Sequence, residues 1–284
     1  MIIRNVLFKS VFFYNYLYIM ASTDKIAIII PFRDLRAEQN RSAHLRQFVK
    51  SIPDFLEKAG KPYIIYCIEQ SDDDRKFNRG KLLNIGFEIA CSEGCNIFVF
   101  HDVDLIPSKE LLPHYTTVPD SPVHVANVWN DRYSCNDSYF GGIVAFSQED
   151  YVRINGYPNN FWGWGGEDDE MYKRVKKNKL KIVKVKKGTI KDLEEMNLKT
   201  KLTYLKTNQE LKCPFKTELL DEHEGTWKRN GLNSLNYSIL DRIDIMPDRD
   251  LGIATKITVD VMLNGEKTDE YSSMSFIPDY NAKK

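Results

Sequence analysis

Two aspartates flank one valine in Asp102-Val103-Asp104, at the end of an apolar run. In a strand, residues two apart face the same side. Two carboxylates on one side repel each other, and a divalent cation relieves that repulsion. The motif is short and also suits a solvated strand end, so its strand context carries the metal reading. A second group runs from Trp162 to Glu170, WGWGGEDDE. Three glycines around two tryptophans suit neither a helix nor a strand interior. They suggest a mobile loop that carries an aromatic platform over a bound ligand. The four acids after them suit the first turn of a helix, with nine Lys/Arg following between Lys173 and Lys187. A carboxylate beside a water-excluding lid is a candidate general base.

A third group pairs arginine with an aromatic ring twice, in Pro31-Phe32-Arg33 and Phe77-Asn78-Arg79. Such a pair suits a nucleotide: the ring stacks on a base and the guanidinium contacts a phosphate or carbonyl. With a metal candidate on the same sheet edge, the three groups point to a nucleotide-diphosphate site. The five histidines, His44, His101, His114, His124 and His223, form no HxH, HxxH or HExxH pair.

The elements that must position these residues alternate. IAIIIPF (26–32), PYIIYCIEQ (62–70) and NIFVFHDVDL (96–105) read as buried strands. Helices are expected at 43–58 and through Leu82, Ile85 and Ile89. This order predicts an α/β fold: a mostly parallel central sheet with helices on both faces. Ligands of such sheets sit outside the carboxyl ends of the strands. Further on, HVANVW and GGIVAFS read as strands and SQEDYVRINGYP as a short helix. NGLNSLNYSIL reads as a helix or turn and TKITVDVML as a last strand. The polar tail after Leu263 is expected to fray.

The chain has 284 residues, 40 Lys+Arg against 40 Asp+Glu, and 42% hydrophobic residues. That is an ordinary globular composition with room for a sizeable core. Zero formal charge excludes a phosphate-coating nucleic-acid binder. Five cysteines without a CxxC pair argue against a disulfide framework or structural zinc and fit a reducing, cytoplasmic compartment. Residues 1–24 are apolar and aromatic. They read as a signal peptide or short anchor, or as an extension upstream of a start at Met20. Membrane association, in a Golgi-type membrane or lumen, follows only from the anchor reading.

The motifs resemble the β-1,4-galactosyltransferase family, whose members have a GT-A-type nucleotide-sugar-binding fold. The resemblance runs in order through IIPFRD (29–34), FNRGKLLNIGF (77–87), FVFHDVDLIP (98–107), YFGG (139–142), INGYPNNFWGWGGEDDE (154–170), GLNSLNY (231–237) and ITVDV (257–261). It covers about residues 25–263, the expected catalytic domain, and leaves 264–284 as a polar tail. It implies that Pro31, Phe32, Arg33, Phe77 and Arg79 line the nucleotide pocket. It implies that Asp104 binds Mn²⁺ or Mg²⁺ with Asp102 in support, and that Trp164 closes over the donor. By the same resemblance Asp168 is the catalytic base, and Glu167 and Asp169 bind sugars. Tyr139 favours galactose, because its ring leaves no space for an N-acetyl group. The implied reaction is inverting transfer of galactose from UDP-galactose to a carbohydrate acceptor, whether free, glycoprotein or glycolipid. Another UDP-sugar (GalNAc or Glc) and a non-catalytic nucleotide-sugar-binding homologue are the alternatives. The family's later metal-binding histidine is missing: residues 191–201 read KDLEEMNLKTK. Glu194, Glu195, Met196 and a distant His223 are the possible substitutes. The EDDE ending resembles the branch that adds galactose to xylose.

Overall fold

The computed structural model describes residues 24–36, 39–129, 138–263 and 266–278. Residues 1–23, with the signal, anchor or extension reading, lie outside them. Among the described residues no helix is long and apolar enough to cross a membrane.

The apolar runs form strands as expected: β1 (Ile26–Phe32), β2 (Tyr63–Gln70) and β3 (Ile97–His101). Helix α1 (Arg41–Leu56) links β1 to β2, and α2 (Arg79–Ser92) links β2 to β3. β1 lies between β2 and β3 and pairs parallel with both. The strands are buried on both faces, and their alternation sorts side chains into two cores. Ala27, Ile29, Tyr66, Ile68, Phe98 and Phe100 pack with α2 on one face. Ile26, Ile28, Ile30, Ile65, Cys67 and Val99 pack with Leu45, Phe48, Ile52 and Phe55 of α1 on the other.

Later elements complete the layers. They are β4 (Leu105–Pro107), β5 (Val123–His124), β6 (Ile143–Phe146), α3 (Gln148–Arg153), α4 (Glu167–Lys177), β7 (Val183–Lys184) and β8 (Ile190–Asp192). They continue as α5 (Leu198–Thr207), α6 (Lys216–Asp221), β9 (Ser238–Asp244), β10 (Gly252–Asp260) and α7 (Glu266–Ser272). The main sheet runs β7-β5-β6-β3-β1-β2-β10-β9, and β4 and β8 form a separate pair. β10 adds to β2 in parallel, whereas β6 and β9 pair antiparallel with β3 and β10. The fold is α/β with a mostly parallel centre, as the sequence predicts.

Three local expectations differ. The third strand stops at His101, and Asp102–Asp104 form a turn in which the Leu105 amide donates to the Asp102 carbonyl at 3.3 Å. Strand periodicity therefore does not set the relation of the two aspartates. HVANVW contributes a single strand residue, His124, before a 3-10 turn at Val125–Val128. The segment after Leu263 is not frayed throughout, because Tyr271 of α7 is buried and its hydroxyl donates to the Asn160 carbonyl at 3.1 Å. The Lys76 amide donates to the Ser272 carbonyl at 2.7 Å, and the Met274 amide to the Asp74 carbonyl at 3.0 Å. One aromatic anchor outweighs the polar average of that segment.

Candidate active site

A pocket opens beyond the carboxyl ends of β1, β2 and β3. Pro31, Phe32, Arg33, Phe77, Arg79, Asp102, Asp104, Tyr139, Trp164, Glu167 and Asp168 line it. These are the candidate residues with one exception. Asp169 does not line the pocket: it points to Lys216, 2.6 Å away.

Arg79 is the first residue of α2. The preceding Asn78 caps that helix, its side chain accepting from the Lys81 amide at 3.0 Å, and its own amide donates to Gln70 at 2.9 Å. So fixed, the Arg79 guanidinium spans two motifs. Nε and Nη2 reach Asp102 at 2.8 Å, Nη1 donates to Asp168 at 2.9 Å, and Glu167 lies at 3.7 Å. Among the described residues, three carboxylates thus share one cation. Burial pushes the Asp168 carboxyl well up, and Arg79 pulls it back only in part. Burial raises Glu167 and Asp102 as well, against the same arginine. A carboxyl raised in this way holds a proton more readily than a free one.

The three glycines of the Trp loop all have positive φ: 94° at Gly163, 104° at Gly165 and 104° at Gly166. This is where glycine is favoured, and Gly166 opens α4. Trp162 is fully buried, while Trp164 lines the pocket at 37% exposure. The loop backbone is tied at both sides. The Gly163 amide donates to Phe77, the Trp164 amide donates to Leu211, and the Trp164 carbonyl accepts from Cys213. At Gly141 the approach is close: a β-carbon there would sit 2.1 Å from Asp168 Oδ2.

Arg33 is buried and donates to the Arg75 carbonyl at 2.6 Å and to Asp73 at 2.8 Å, but its Nε has no partner. Tyr139 packs edge-on against His124, with ring centroids 5.3 Å apart.

The other half of the pocket was not foreseen as a unit. Arg41, at the start of α1, donates from Nη1 to Asp104 at 2.5 Å and from Nη2 to Glu194 at 2.8 Å. Lys201 of α5 also reaches Glu194, at 2.5 Å. Of the possible substitutes for the missing histidine, Glu194 lines the pocket. Glu195 is exposed. His223 is buried elsewhere, with Nδ1 2.9 Å from Glu170. Arg41 and Lys201 carry no motif, and only the fold brings them to Asp104.

Comparison with known proteins bears on the family of the chain. Residues 19–115 match the model described as the N-terminal region of glycosyl transferase group 7. Residues 121–199 match one described as the N-terminal domain of galactosyltransferase. Mouse β-1,4-galactosyltransferase 4 is 36% identical over 222 residues, covering 76% of this chain and 59% of the relative. The chain belongs to the β-1,4-galactosyltransferase family. Mouse β-1,4-galactosyltransferase 1 is 34% identical over 244 residues, or 84% of this chain and 55% of the relative. The chain thus spans little more than half the length of these curated relatives. Among solved structures, a mutant Drosophila β-1,4-galactosyltransferase 7 in complex with manganese, UDP-Gal and xylobiose matches with a TM-score of 0.71 and 28% identity. That match covers 88% of this chain and 99% of the fly one.

Proposed function

We propose that this chain is an inverting glycosyltransferase that moves galactose from UDP-galactose to a sugar hydroxyl, leaving a β-linkage. The observation that carries the reading is the convergence of Asp168, Arg79 and Asp102 in a pocket bordered by Trp164. Family membership and the likeness to a galactosyltransferase bound to manganese and UDP-Gal support the donor. Phe32 and Phe77 offer rings to the nucleotide. Arg33 borders the same pocket, its guanidinium held in place by the Arg75 carbonyl and Asp73.

Asp168 acts as the base. Its carboxylate takes the acceptor hydroxyl proton as that oxygen attacks the anomeric carbon from the face opposite UDP. The bond from that carbon to the diphosphate oxygen breaks, and UDP leaves with the electron pair. Arg79 orients Asp168, and its charge opposes the rise that burial imposes on that carboxyl. Trp164 covers the reacting centre and excludes water. Tyr139 bounds the space beside the sugar. Glu167 meets sugar hydroxyls from within the pocket, whereas Asp169 reaches the acceptor only on release from Lys216.

The family implies Mn²⁺ or Mg²⁺. Among the described residues no three His, Cys, Asp or Glu side chains form a closed metal cage. A cation held by one or two carboxylates together with substrate phosphates needs none. Asp104 and Glu194 offer hard oxygens of the right kind beside Asp102, so the residues present fit such an ion. When bound, it neutralises charge on the departing diphosphate.

Incubating the full chain with a panel of UDP-sugars, Mn²⁺ and simple acceptors, xylosides included, tests the reading. UDP release with UDP-galactose is expected. Release only with another donor removes the galactose assignment. Donor binding without any UDP release leaves a non-catalytic nucleotide-sugar binder.

A further inference from the structure

Asp104 and Glu194 are tied together by backbone as well as by charge. The Leu193 amide donates to the Asp104 carbonyl at 2.8 Å, and Leu105 pairs with Asp192 in the β4–β8 ladder. Their spacing is therefore set by the sheet. Arg41 comes from a different element, the first residue of α1. Its guanidinium fills the interval, touching one carboxylate with each terminal nitrogen. The side chains are 11% exposed at Asp104 and 6% at Glu194. Two such carboxylates are not stable as charges without a cation between them. A guanidinium supplies one positive charge spread over a plane, whereas a divalent ion supplies two in a compact sphere. Both cannot occupy the same interval.

We propose that Arg41 is a resident counter-ion of the Asp104–Glu194 pair, and that a divalent cation binds there by displacing its guanidinium. The proposal rests on the metal role of Asp104 given above. It makes an unusual demand. Removing an arginine from a binding pocket ordinarily weakens ligand binding, but removing this one strengthens cation binding. Glu194 becomes a metal-facing carboxylate, and Lys201 keeps the pair from an excess of negative charge when Arg41 swings out.

The test is direct titration of the nucleotide-free full chain with Mn²⁺, following free Mn²⁺ by electron paramagnetic resonance. Arg41→Gln is expected to bind Mn²⁺ about tenfold more tightly than wild type, and Glu194→Gln about tenfold more weakly. Asp104→Asn abolishes the site. If Arg41→Gln does not fold, Arg41→Lys replaces it. Lysine lacks the fork that bridges both carboxylates, so tighter binding than wild type is again expected. In the unmutated protein, Mg²⁺ saturation should move the Arg41 Nε–H signal in ¹⁵N nuclear magnetic resonance, assigned by its loss in Arg41→Lys. Mn²⁺ binding that needs Asp104 but is unchanged or weakened in the Arg41 variants overturns the counter-ion proposal alone. Mn²⁺ binding indifferent to Asp104, or absent from every variant, overturns the metal reading and the proposal with it.

Discussion

The two aspartates of the Asp102–Asp104 turn belong to two different ion clusters, and the clusters differ in charge balance. Among the described residues, three carboxylates around Arg79 share that one cation: Asp102, Glu167 and Asp168. Among the described residues, two carboxylates around Arg41, Asp104 and Glu194, face two cations, Arg41 and Lys201. The consequence is opposite pKa displacement. Asp168 rises because burial exceeds what one shared guanidinium returns. Glu194 is also pushed up by burial, but Arg41 and Lys201 together outweigh it and hold it below the ordinary value. The same building unit, a guanidinium bridging two buried carboxylates, underlies the proton acceptor proposed where negative charge is in excess. Where charge is balanced, it underlies the proposed ion-exchange position.

The largest expected effect falls on the Arg79 side. Asp168→Asn should lower turnover by about 10²–10⁴-fold while leaving Mn²⁺ affinity unchanged. Full activity in that variant removes the base assignment and with it the functional contrast. Arg79→Ala leaves buried carboxylates unpaired and should cost about 3–5 kcal/mol in denaturant unfolding. It also carries a pH signature. Asp168 must be ionised to accept a proton, so activity falls as pH drops through its pKa. Removing the Arg79 charge raises that pKa further, so the acid limb of the kcat profile should move to higher pH. An unmoved limb in the surviving activity of Arg79→Lys or Arg79→Ala separates Arg79 from the base. Gly141→Ala should cost about 10²-fold in kcat by displacing Asp168, with Mn²⁺ titration unaltered on the other side. The smallest effect is one of selectivity. Tyr139→Leu should improve the rate with UDP-GalNAc relative to UDP-galactose by about tenfold, read from competing donors.

How much of this was legible follows from which interactions are local. β1–β3, α1 and α2 were readable because continuous apolar runs and helical spacing are written within each segment. β9 was not, since Ser238–Asp244 lies exposed at the sheet edge and carries no inward alternation. The antiparallel entry of β6 had no local signal either, because pairing direction is decided by the chain between the strands. In the site, Asp102, Asp104, Trp164 and the Glu167–Asp168 pair were visible as unusual residue groups. Arg41 was invisible for a physical reason. A lone arginine at a helix start gains meaning only when β8 pairs with β4 and brings Glu194 alongside Asp104. Asp169 shared its motif with the pocket acids, but α4 turns it toward Lys216.

The hydrogen bonds from the 74–76 loop to Ser272 and Met274 bear on the order in which the molecule is made. A ribosome delivers the Phe77 side of the pocket early, but the backbone that fastens it lies far downstream in the chain. The central strands can pair while the chain is still growing. A nascent chain that carries every motif acid but not yet residues 272–274 therefore lacks the ties that hold this pocket wall.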